Sequence, residues 1–364
     1  MRKIDKGKPV LVTGGSGYLA SWIIKMLLQQ GIDVNASVRD TTDCEKVDHL
    51  IAMAKESTGN LELFKADLLA IGSFDAAMKD CEVVIHTASP FFLSAVKNPE
   101  QELIRPAREG TKNVLESANR SPAVKRVVLT SSAAAVYGDN ADIFLTQTGV
   151  FTEAEWNVTS SAEHQPYAYS KTVAEKEAWG IAKAQARWDL LTINPAWILG
   201  PSLTKRKDST SISTIIQIGN GTYKSGVPEL WFGIVDVRDV ATAHIKAGYT
   251  PEAIGRHLIV NREATLLDLV KIMRNNFGDK YPLPSRQVPK FLLWLLAPRL
   301  GFTRKYVKKN VGIKIKFDNS HSKKNLGMVY IPIEQTIIEH FKQLIDDGLL
   351  DSPSLKKESK RLST

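Results

Sequence analysis

The chain has 364 residues, of which 43% are hydrophobic, and a formal net charge of +9. This length is enough for one large α/β domain, or for a nucleotide-binding domain with a smaller second lobe. Its two cysteines, Cys44 and Cys81, show neither disulfide nor metal-site spacing, which fits a reducing cytoplasm. The longest apolar run, residues 291–298, is far shorter than the roughly 20 residues that span a bilayer. The basic and then apolar N-terminus is interpreted as a first strand, because it lacks a signal-peptide cleavage site.

The positive charge is concentrated in one segment. Residues 286–324 contain eleven lysines and arginines and one acid, Asp318, so the rest of the chain is close to neutral. We expect a solvated basic face rather than a nucleic-acid site. Peripheral membrane association through this segment is the alternative that its apolar run, FLLWLLAP, leaves open.

Short apolar runs alternate with amphipathic stretches over the first 200 residues. The runs are KPVLVTG, DVNASVR, LELFKADL, CEVVIHTAS, KRVVLTSS and DLLTINPAWILG. Strands and helices that alternate in this way predict an α/β fold, a Rossmann-type doubly wound parallel sheet with helices on both faces. Such sheets bind ligands at the carboxyl ends of their strands, so the residues that follow each run are the candidates for chemistry.

The alternation weakens after residue 200, which suggests a boundary. We predict a Rossmann domain over residues 8–200, with a strand and helix near 231–250 returning to it. Residues 201–348 then form mainly a smaller C-terminal substrate-binding lobe. The charged tail, residues 352–364, lacks apolar periodicity and is predicted to be disordered.

A glycine-rich turn, TGGSGYLA, follows the first strand directly. Gly14 permits a tight turn, Gly17 lets the backbone approach a pyrophosphate, and the small Ala20 lets the next helix pack closely on the sheet. The pyrophosphate would lie at the positive end of that helix. This turn predicts a dinucleotide cofactor.

The end of the second strand indicates which dinucleotide binds. An acid there would bond the ribose 2′-hydroxyl of NAD, whereas a cation favours the 2′-phosphate of NADP. Arg39 stands at this position, and Lys46 follows in the next helix, although Asp40 could serve a ribose without phosphate. We therefore predict NADP(H), with Asp67 after the third strand accepting a hydrogen bond from the adenine amine.

Tyr167 and Lys171 lie one helical turn apart in PYAYSK and so share a helix face. A tyrosine hydroxyl, with an ordinary pKa near ~10, is a poor acid or base at neutral pH unless a neighbouring cation stabilises its phenolate. Lys171 would supply that charge and could also hold the nicotinamide ribose. Tyr169 lies two residues from the lysine and points elsewhere.

Ser132 ends the fifth strand, where its hydroxyl could bond a substrate carbonyl oxygen as charge develops on that oxygen. Ser131 is the alternative. Strand alternation sends the two side chains to opposite faces, so only one of them can face the cleft.

In these residues the chain resembles the extended short-chain dehydrogenases/reductases. Within that family it resembles the branch of dihydroflavonol reductases, cinnamoyl-CoA reductases and microbial aldehyde or ketone reductases. The resemblance covers residues 8–348. It depends on motifs in family order, namely TGGSGYLA, SVRD, ADL, HTASP, GTKNVL, LTSSAA, YAYSK with KTVAEKEAW, and INPAWILGP.

The resemblance implies a catalytic triad of Ser132, Tyr167 and Lys171, with Tyr167 as the proton donor. It implies that Arg39 and Lys46 bind the 2′-phosphate, and that Asn113 supports a proton-relay water unless it is a helix-packing residue. Tyr167 and Lys171 are predicted to contact the cofactor as well, and the remaining cofactor contacts are then assigned to Tyr18, Leu19, Leu68, Thr87, Ala88 and Pro195.

Two departures from the family's patterns bear on the substrate. Tyr137 stands where the plant flavonoid enzymes carry an asparagine, and the asparagine-tryptophan-tyrosine signature of cinnamoyl-CoA enzymes is absent around Tyr167. A general carbonyl reductase therefore fits better. Core packing is the alternative for the aromatic residues predicted to line the substrate pocket, which are Phe91, Phe92, Tyr137, Trp231 and Phe232.

The predicted function is the NADPH-dependent reduction of an aldehyde or ketone on a small, fairly apolar substrate by a cytoplasmic monomer or homodimer. The histidines, including His86 and His244, lack ligand spacing, so no metal is predicted. A nucleotide-sugar epimerase or a 3β-hydroxysteroid-type dehydrogenase stays open, because those enzymes use the same three residues on the same fold. So does an NADP-binding sensor without catalysis.

Overall fold

The computed structural model describes residues 2–89, 97–205 and 207–350. Among them the strands are β1 (Val10–Thr13), β2 (Val34–Val38), β3 (Leu61–Lys65), β4 (Val83–His86), β5 (Arg126–Thr130), β6 (Asp189–Pro195), β7 (Trp197–Leu199), β8 (Val227–Pro228), β9 (Trp231–Asp236), β10 (Gly255–Ile259), β11 (Arg262–Thr265) and β12 (Gln287–Val288). The helices are α1 (Tyr18–Gln29), α2 (Cys44–Lys55), α3 (Arg105–Arg120), α4 (Pro166–Lys183), α5 (Thr210–Gly219), α6 (Val237–Tyr249), α7 (Leu266–Phe277), α8 (Lys290–Leu296), α9 (Arg304–Asn310), α10 (Ser320–Asn325) and α11 (Ile333–Asp346). No helix in these ranges is both long and apolar enough to cross a membrane.

Seven strands form one parallel sheet in the order β10-β6-β5-β4-β1-β2-β3. This confirms the predicted α/β fold with a Rossmann-type sheet. The chain builds β1, β2 and β3 in one direction and then crosses back to place β4 on the other side of β1. A crevice at the carboxyl ends of β1 and β4 is the usual ligand site of such a sheet.

Both faces of the sheet are covered, which explains why β1, β2 and β4 are buried along their whole length. In β1, Val10 and Val12 face a core shared with α1 and α6, whereas Leu11 faces a core shared with α3 and α4. All three side chains are buried. Alternate residues of one strand therefore pack against helices on opposite faces of the sheet.

The later part of the chain builds two small sheets, one of β7, β9 and β11 and one of β8 and β12. Apolar residues of α5, α7 and α11 form a separate core with these sheets. The strand expected near residue 231 to rejoin the main sheet pairs instead with β7 and β11, while α6 does pack against the main sheet. The strand that completes the main sheet is β10, which pairs with β6.

Candidate active site

The glycine turn lies between β1 and α1, as its spacing predicts. Gly14 has a φ of +69°, and a Cβ there would lie 3.0 Å from the Cα of Ala88. A Cβ on Gly17 would lie 3.1 Å from the carbonyl oxygen of Gly14. Gly17 is the N-cap residue of α1 and offers no side chain to its first amides, so those amides are free for an anion. The turn therefore fits a pyrophosphate.

The ends of β1 and β4 are joined by polar contacts around Thr13. The Thr13 hydroxyl lies 2.7 Å from Nδ1 of His86 and accepts a hydrogen bond from the Ala88 amide at 3.1 Å. Thr87 donates to the Thr13 carbonyl oxygen at 2.5 Å. Burial, helped by the charge of Lys171, lowers the pKa of His86 to about 3, so this histidine is neutral. These contacts hold Thr87 and Ala88 beside the glycine turn.

Two cations stand after β2. Arg39 is exposed and makes no ion pair with any described residue. Lys46 lies in the first turn of α2, with its Nζ 2.9 Å from Oδ2 of Asp43. The Asp40 carboxylate accepts hydrogen bonds from the amide and hydroxyl of Thr42, which lower its pKa. Asp40 is thus engaged in its own turn, while Arg39 is available to a phosphate.

The loop after β3 carries Asp67 and Leu68. Asp67 is exposed, and its Oδ1 accepts a hydrogen bond from the Leu69 amide at 2.8 Å. The Leu68 carbonyl accepts a hydrogen bond at 3.0 Å from Nδ2 of Asn113, which is buried in α3. This hydrogen bond joins α3 to the loop, which supports a helix-packing role for Asn113 as the alternative to a proton-relay role.

Tyr167 and Lys171 lie in α4. The helix follows Gln165, which has a left-handed φ of +59° and donates through Nε2 to the Gly138 carbonyl. Tyr167 is 46% exposed, and Nζ of Lys171 lies 5.7 Å from the centroid of its ring. Lys171 also donates to the Ser89 hydroxyl at 2.9 Å. The lysine therefore bridges α4 and the segment that follows β4.

The two serines after β5 face different surroundings, as strand alternation predicts. Ser132 is partly exposed, and its hydroxyl accepts a hydrogen bond at 3.1 Å from the Ala134 amide in a short 3₁₀ turn against which α4 packs. Ser131 is buried and donates at 2.5 Å to Oε2 of Glu175. Ser132 is thus the less buried of the two serines.

Beneath these residues lies a buried ion pair that the sequence analysis did not single out. Glu175 follows Lys171 by one helical turn and is 1% exposed. Its Oε1 accepts a hydrogen bond at 2.7 Å from Nε of Arg256 in β10. The carboxylate also accepts hydrogen bonds from Ser131, Trp179, Thr192 and Asn194.

Asn194 connects this ion pair to the candidate catalytic serine. Its Nδ2 donates to Glu175 at 2.7 Å and to the carbonyl oxygen of Ser132 at 3.1 Å. The two hydrogens of one amide group thus fix the Ser132 backbone to the buried carboxylate. Glu175 and Asn194 lie in two of the family motifs, KTVAEKEAW and INPAWILGP, so their importance could have been predicted. Nothing in the sequence indicates that Arg256 pairs with Glu175.

Three other predicted cofactor residues lie in α1 and at the end of β6. The Tyr18 hydroxyl donates to the Gly200 carbonyl at 2.7 Å, and burial raises its pKa well above the ordinary value. The Tyr18 side chain is therefore engaged with the chain after β7, which leaves its backbone at the glycine turn. Leu19 is buried in α1, and Pro195 ends β6.

Among the predicted pocket residues, Phe91 and Phe92 lie outside the described residues. Tyr137 is partly buried and stacks on Phe151 with ring centroids 4.6 Å apart, next to Phe317. The remaining two aromatic side chains, Trp231 and Phe232, are partly exposed, and Phe232 lies 5.2 Å from the ring of Trp197.

Comparison with known proteins tests the resemblance. Residues 10–261 match the model of the NAD dependent epimerase/dehydratase family. The chain belongs to this family. Its relatives match the extended short-chain dehydrogenase/reductase branch that the motifs indicate.

Plant reductases are among the relatives. The chain is 40% identical over 350 residues to a cinnamoyl-CoA reductase of Medicago truncatula, covering 94% of this chain and 98% of the relative. It is 33% identical to a dihydroflavonol 4-reductase of Gerbera hybrida, covering 78% of this chain and 76% of the relative. A solved structure of Gre2 from Candida albicans in complex with NADPH is 28% identical, with a TM-score of 0.74 over 93% of this chain and 99% of that one.

Proposed function

We propose that this protein is an NADPH-dependent reductase that converts an aldehyde or ketone carbonyl of a small, fairly apolar substrate to an alcohol. The observation that carries the proposal is that Nζ of Lys171 lies 5.7 Å from the centre of the Tyr167 ring and donates to Ser89, the residue after Ala88, which lies against Gly14 of the glycine turn. Reductases among the relatives and NADPH in the Gre2 structure support it. The free thiols of Cys44 and Cys81 fit a cytoplasmic location.

The residues of this chain fit the cofactor. A Cβ at Gly14 or Gly17 would fill the turn that the pyrophosphate needs, and the first amides of α1 face that turn. Arg39 would hold the 2′-phosphate with Lys46, and Lys171 would hold the nicotinamide ribose. When bound, the reduced nicotinamide supplies a hydride.

The protein then supplies the proton and the polar environment. The Ser132 hydroxyl would donate a hydrogen bond to the carbonyl oxygen and stabilise the negative charge that develops there. Tyr167 would transfer its proton to the same oxygen, and the Lys171 ammonium would stabilise the phenolate that remains. Asn194 and Glu175 would hold Ser132 in place from behind.

Tyr167→Phe tests this mechanism directly. Oxidation of NADPH would be followed by its absorbance against aldehydes, ketones, diketones, cinnamoyl-CoA thioesters and dihydroflavonols. Loss of the proton donor is expected to lower kcat on the accepted substrate by about 10²- to 10⁴-fold, with NADPH affinity unchanged. Tyr169→Phe is the matched control, because Tyr169 lies two residues further along the same helix. Retained turnover in Tyr167→Phe would refute the proton-donor role.

Arg39→Gln tests the choice of cofactor. A charge-assisted hydrogen bond is worth about 1.5–3 kcal/mol, so kcat/KM for NADPH should fall by about 10- to 100-fold while that for NADH stays nearly constant. Lys55→Gln, at the far end of α2, should leave both values unchanged. An equal fall for NADPH and NADH would contradict 2′-phosphate binding. Tight NADPH binding without turnover of any carbonyl would favour the epimerase or sensor alternatives.

A further inference from the structure

An apolar surface projects from α8 and the turn that follows it. Its exposed side chains, here called the α8 face, are Phe291, Leu292, Trp294, Leu295, Leu300 and Phe302. Phe291 is 73% and Leu295 is 56% exposed, and no residue of α8 is buried. A helix on the surface of a globular protein normally presents polar residues to water. This cluster therefore indicates that something covers it.

The positive charge around the α8 face indicates which kind of partner can cover it. Residues 286–317 contain nine lysines and arginines and no acid. A second copy of the chain placed on this face would bring like charges together, which opposes association. An anionic surface is complementary to it.

Aromatic and cationic side chains lie next to each other on this surface. The Arg304 guanidinium lies 4.5 Å from the centre of the Trp294 ring, and Phe302 stacks on Tyr306 at 5.4 Å. Tryptophan beside arginine suits the boundary between lipid headgroups and acyl chains, where an amphipathic ring has one apolar and one wet side. The leucines of the face suit acyl chains and have no counterpart in a polyphosphate ligand.

The α8 face also lies close to the predicted substrate pocket. Leu293 and Ala297, on the inner side of the segment, pack with Leu230 and Phe232. Phe232 in turn contacts Trp197, which begins the strand after Pro195. The inner side of α8 thus packs on Phe232, one of the residues predicted to line that pocket.

We propose that the α8 face docks the protein on an anionic lipid bilayer, with Phe291, Trp294 and Leu295 inserted at the headgroup boundary and the surrounding cations on the headgroups. The association is peripheral, and it does not depend on which substrate the enzyme reduces. Each basic residue near such a surface strengthens binding by about fivefold, and salt weakens that contribution.

Sedimentation with vesicles tests the proposal. The purified chain would be mixed with phosphatidylcholine vesicles that contain or lack phosphatidylserine, at low and high salt. We expect binding to the phosphatidylserine vesicles at low salt that is lost at high salt. Absence of binding to these vesicles at low salt would overturn the proposal.

Two sets of variants identify the surface. Phe291→Ser, Trp294→Ser and Leu295→Ser together should lower the partition coefficient by more than about tenfold. Ile71→Ser with Ile254→Ser, at apolar side chains that are 89% and 70% exposed elsewhere, should not lower it. Arg299→Gln, Arg304→Gln and Lys305→Gln together should lower it by on the order of a hundredfold. The matched control for this charge loss is the triple variant Lys55→Gln, Lys79→Gln and Lys183→Gln, which should leave the partition coefficient nearly unchanged.

Two results of these experiments would overturn the assignment. The first is binding that survives both sets of variants, because a different surface would then meet the lipid. The second is a dimer in light scattering, without vesicles, that the serine variants dissociate, because a second copy would then cover the face. NADPH oxidation by each variant in the absence of vesicles verifies that the active site is folded.

Discussion

Replacing Glu175 by glutamine removes the negative partner of Arg256 and keeps the size of the side chain. Glu175 is 1% exposed, Arg256 is 9% exposed, and Nε of Arg256 lies 2.7 Å from Oε1 of Glu175. Breaking a buried ion pair on one side costs about 3–5 kcal/mol, because the remaining charge stays buried without its partner. The new NH₂ group would also face Ser131 or Arg256, both of which donate hydrogen bonds.

This loss can be measured by thermal unfolding. With an unfolding entropy of about 2.1 cal/mol/K per residue, a loss of 3–5 kcal/mol corresponds to a fall in Tm of roughly 4–7 °C for a chain of this length. Glu334→Gln is the control, because Glu334 pairs with Arg262 at 2.8 Å on the surface and should change stability by less than about 1 kcal/mol.

A double-mutant cycle decides whether the ion pair itself is responsible. Arg256→Met alone should also destabilise the protein, and the double variant should be more stable than the sum of the two losses predicts, by about 2 kcal/mol or more. Additive losses would refute the coupling. So would a Glu175→Gln protein as stable as the parent. Because Asn194 links Glu175 to Ser132, kcat should fall in Glu175→Gln while the Kd for NADPH stays constant.

Two further predictions concern backbone geometry and pH. Gly14→Ala should destabilise the protein and abolish NADPH binding, because its Cβ would lie 3.0 Å from the Cα of Ala88. Gly149→Ala, at φ +70° with open space around it, should lower the stability only by the left-handed strain of about 1–2 kcal/mol. Equal losses of stability in calorimetry would contradict the role of the contact with Ala88. Burial raises the pKa of Asp239 to about 7, so its ionisation opposes folding increasingly as the pH rises from about 4 to 7. Asp239→Asn should therefore become more stable relative to the parent over that range, by up to about 4 kcal/mol, while Asp279→Asn, at an exposed site, should show no such trend in denaturant titrations.

The parts of the site that the sequence predicts are those in which neighbouring residues determine the geometry. The turn at Gly14 and Gly17 follows from spacing alone, and Tyr167 and Lys171 share a face because they lie one helical turn apart. Strand alternation likewise separates Ser131 from Ser132, although it cannot say which of them faces the cleft.

The parts that sequence reasoning missed depend on contacts between distant residues. Arg256 is 81 residues from Glu175, and Ser89 is 82 residues from Lys171. The strand β10, GRHLI, contains a glycine and two basic residues, and β9 has the more apolar sequence, so pattern alone favoured the wrong one of these two for the main sheet. In each case the pairing is decided by three-dimensional packing, which the periodicity of a single segment does not contain.

The position of β10 in the chain has a consequence for how the protein is made. Arg256 and its strand are synthesised only after the small sheet of β7 and β9 has begun, so β6 remains an unpaired edge until about the 260th residue has left the ribosome. A fragment that ends near residue 200 would keep that edge open and leave Glu175 buried without its cation. Cutting the chain near residue 200, or expressing residues 1–200 alone, would therefore expose the open edge of β6 and favour aggregation.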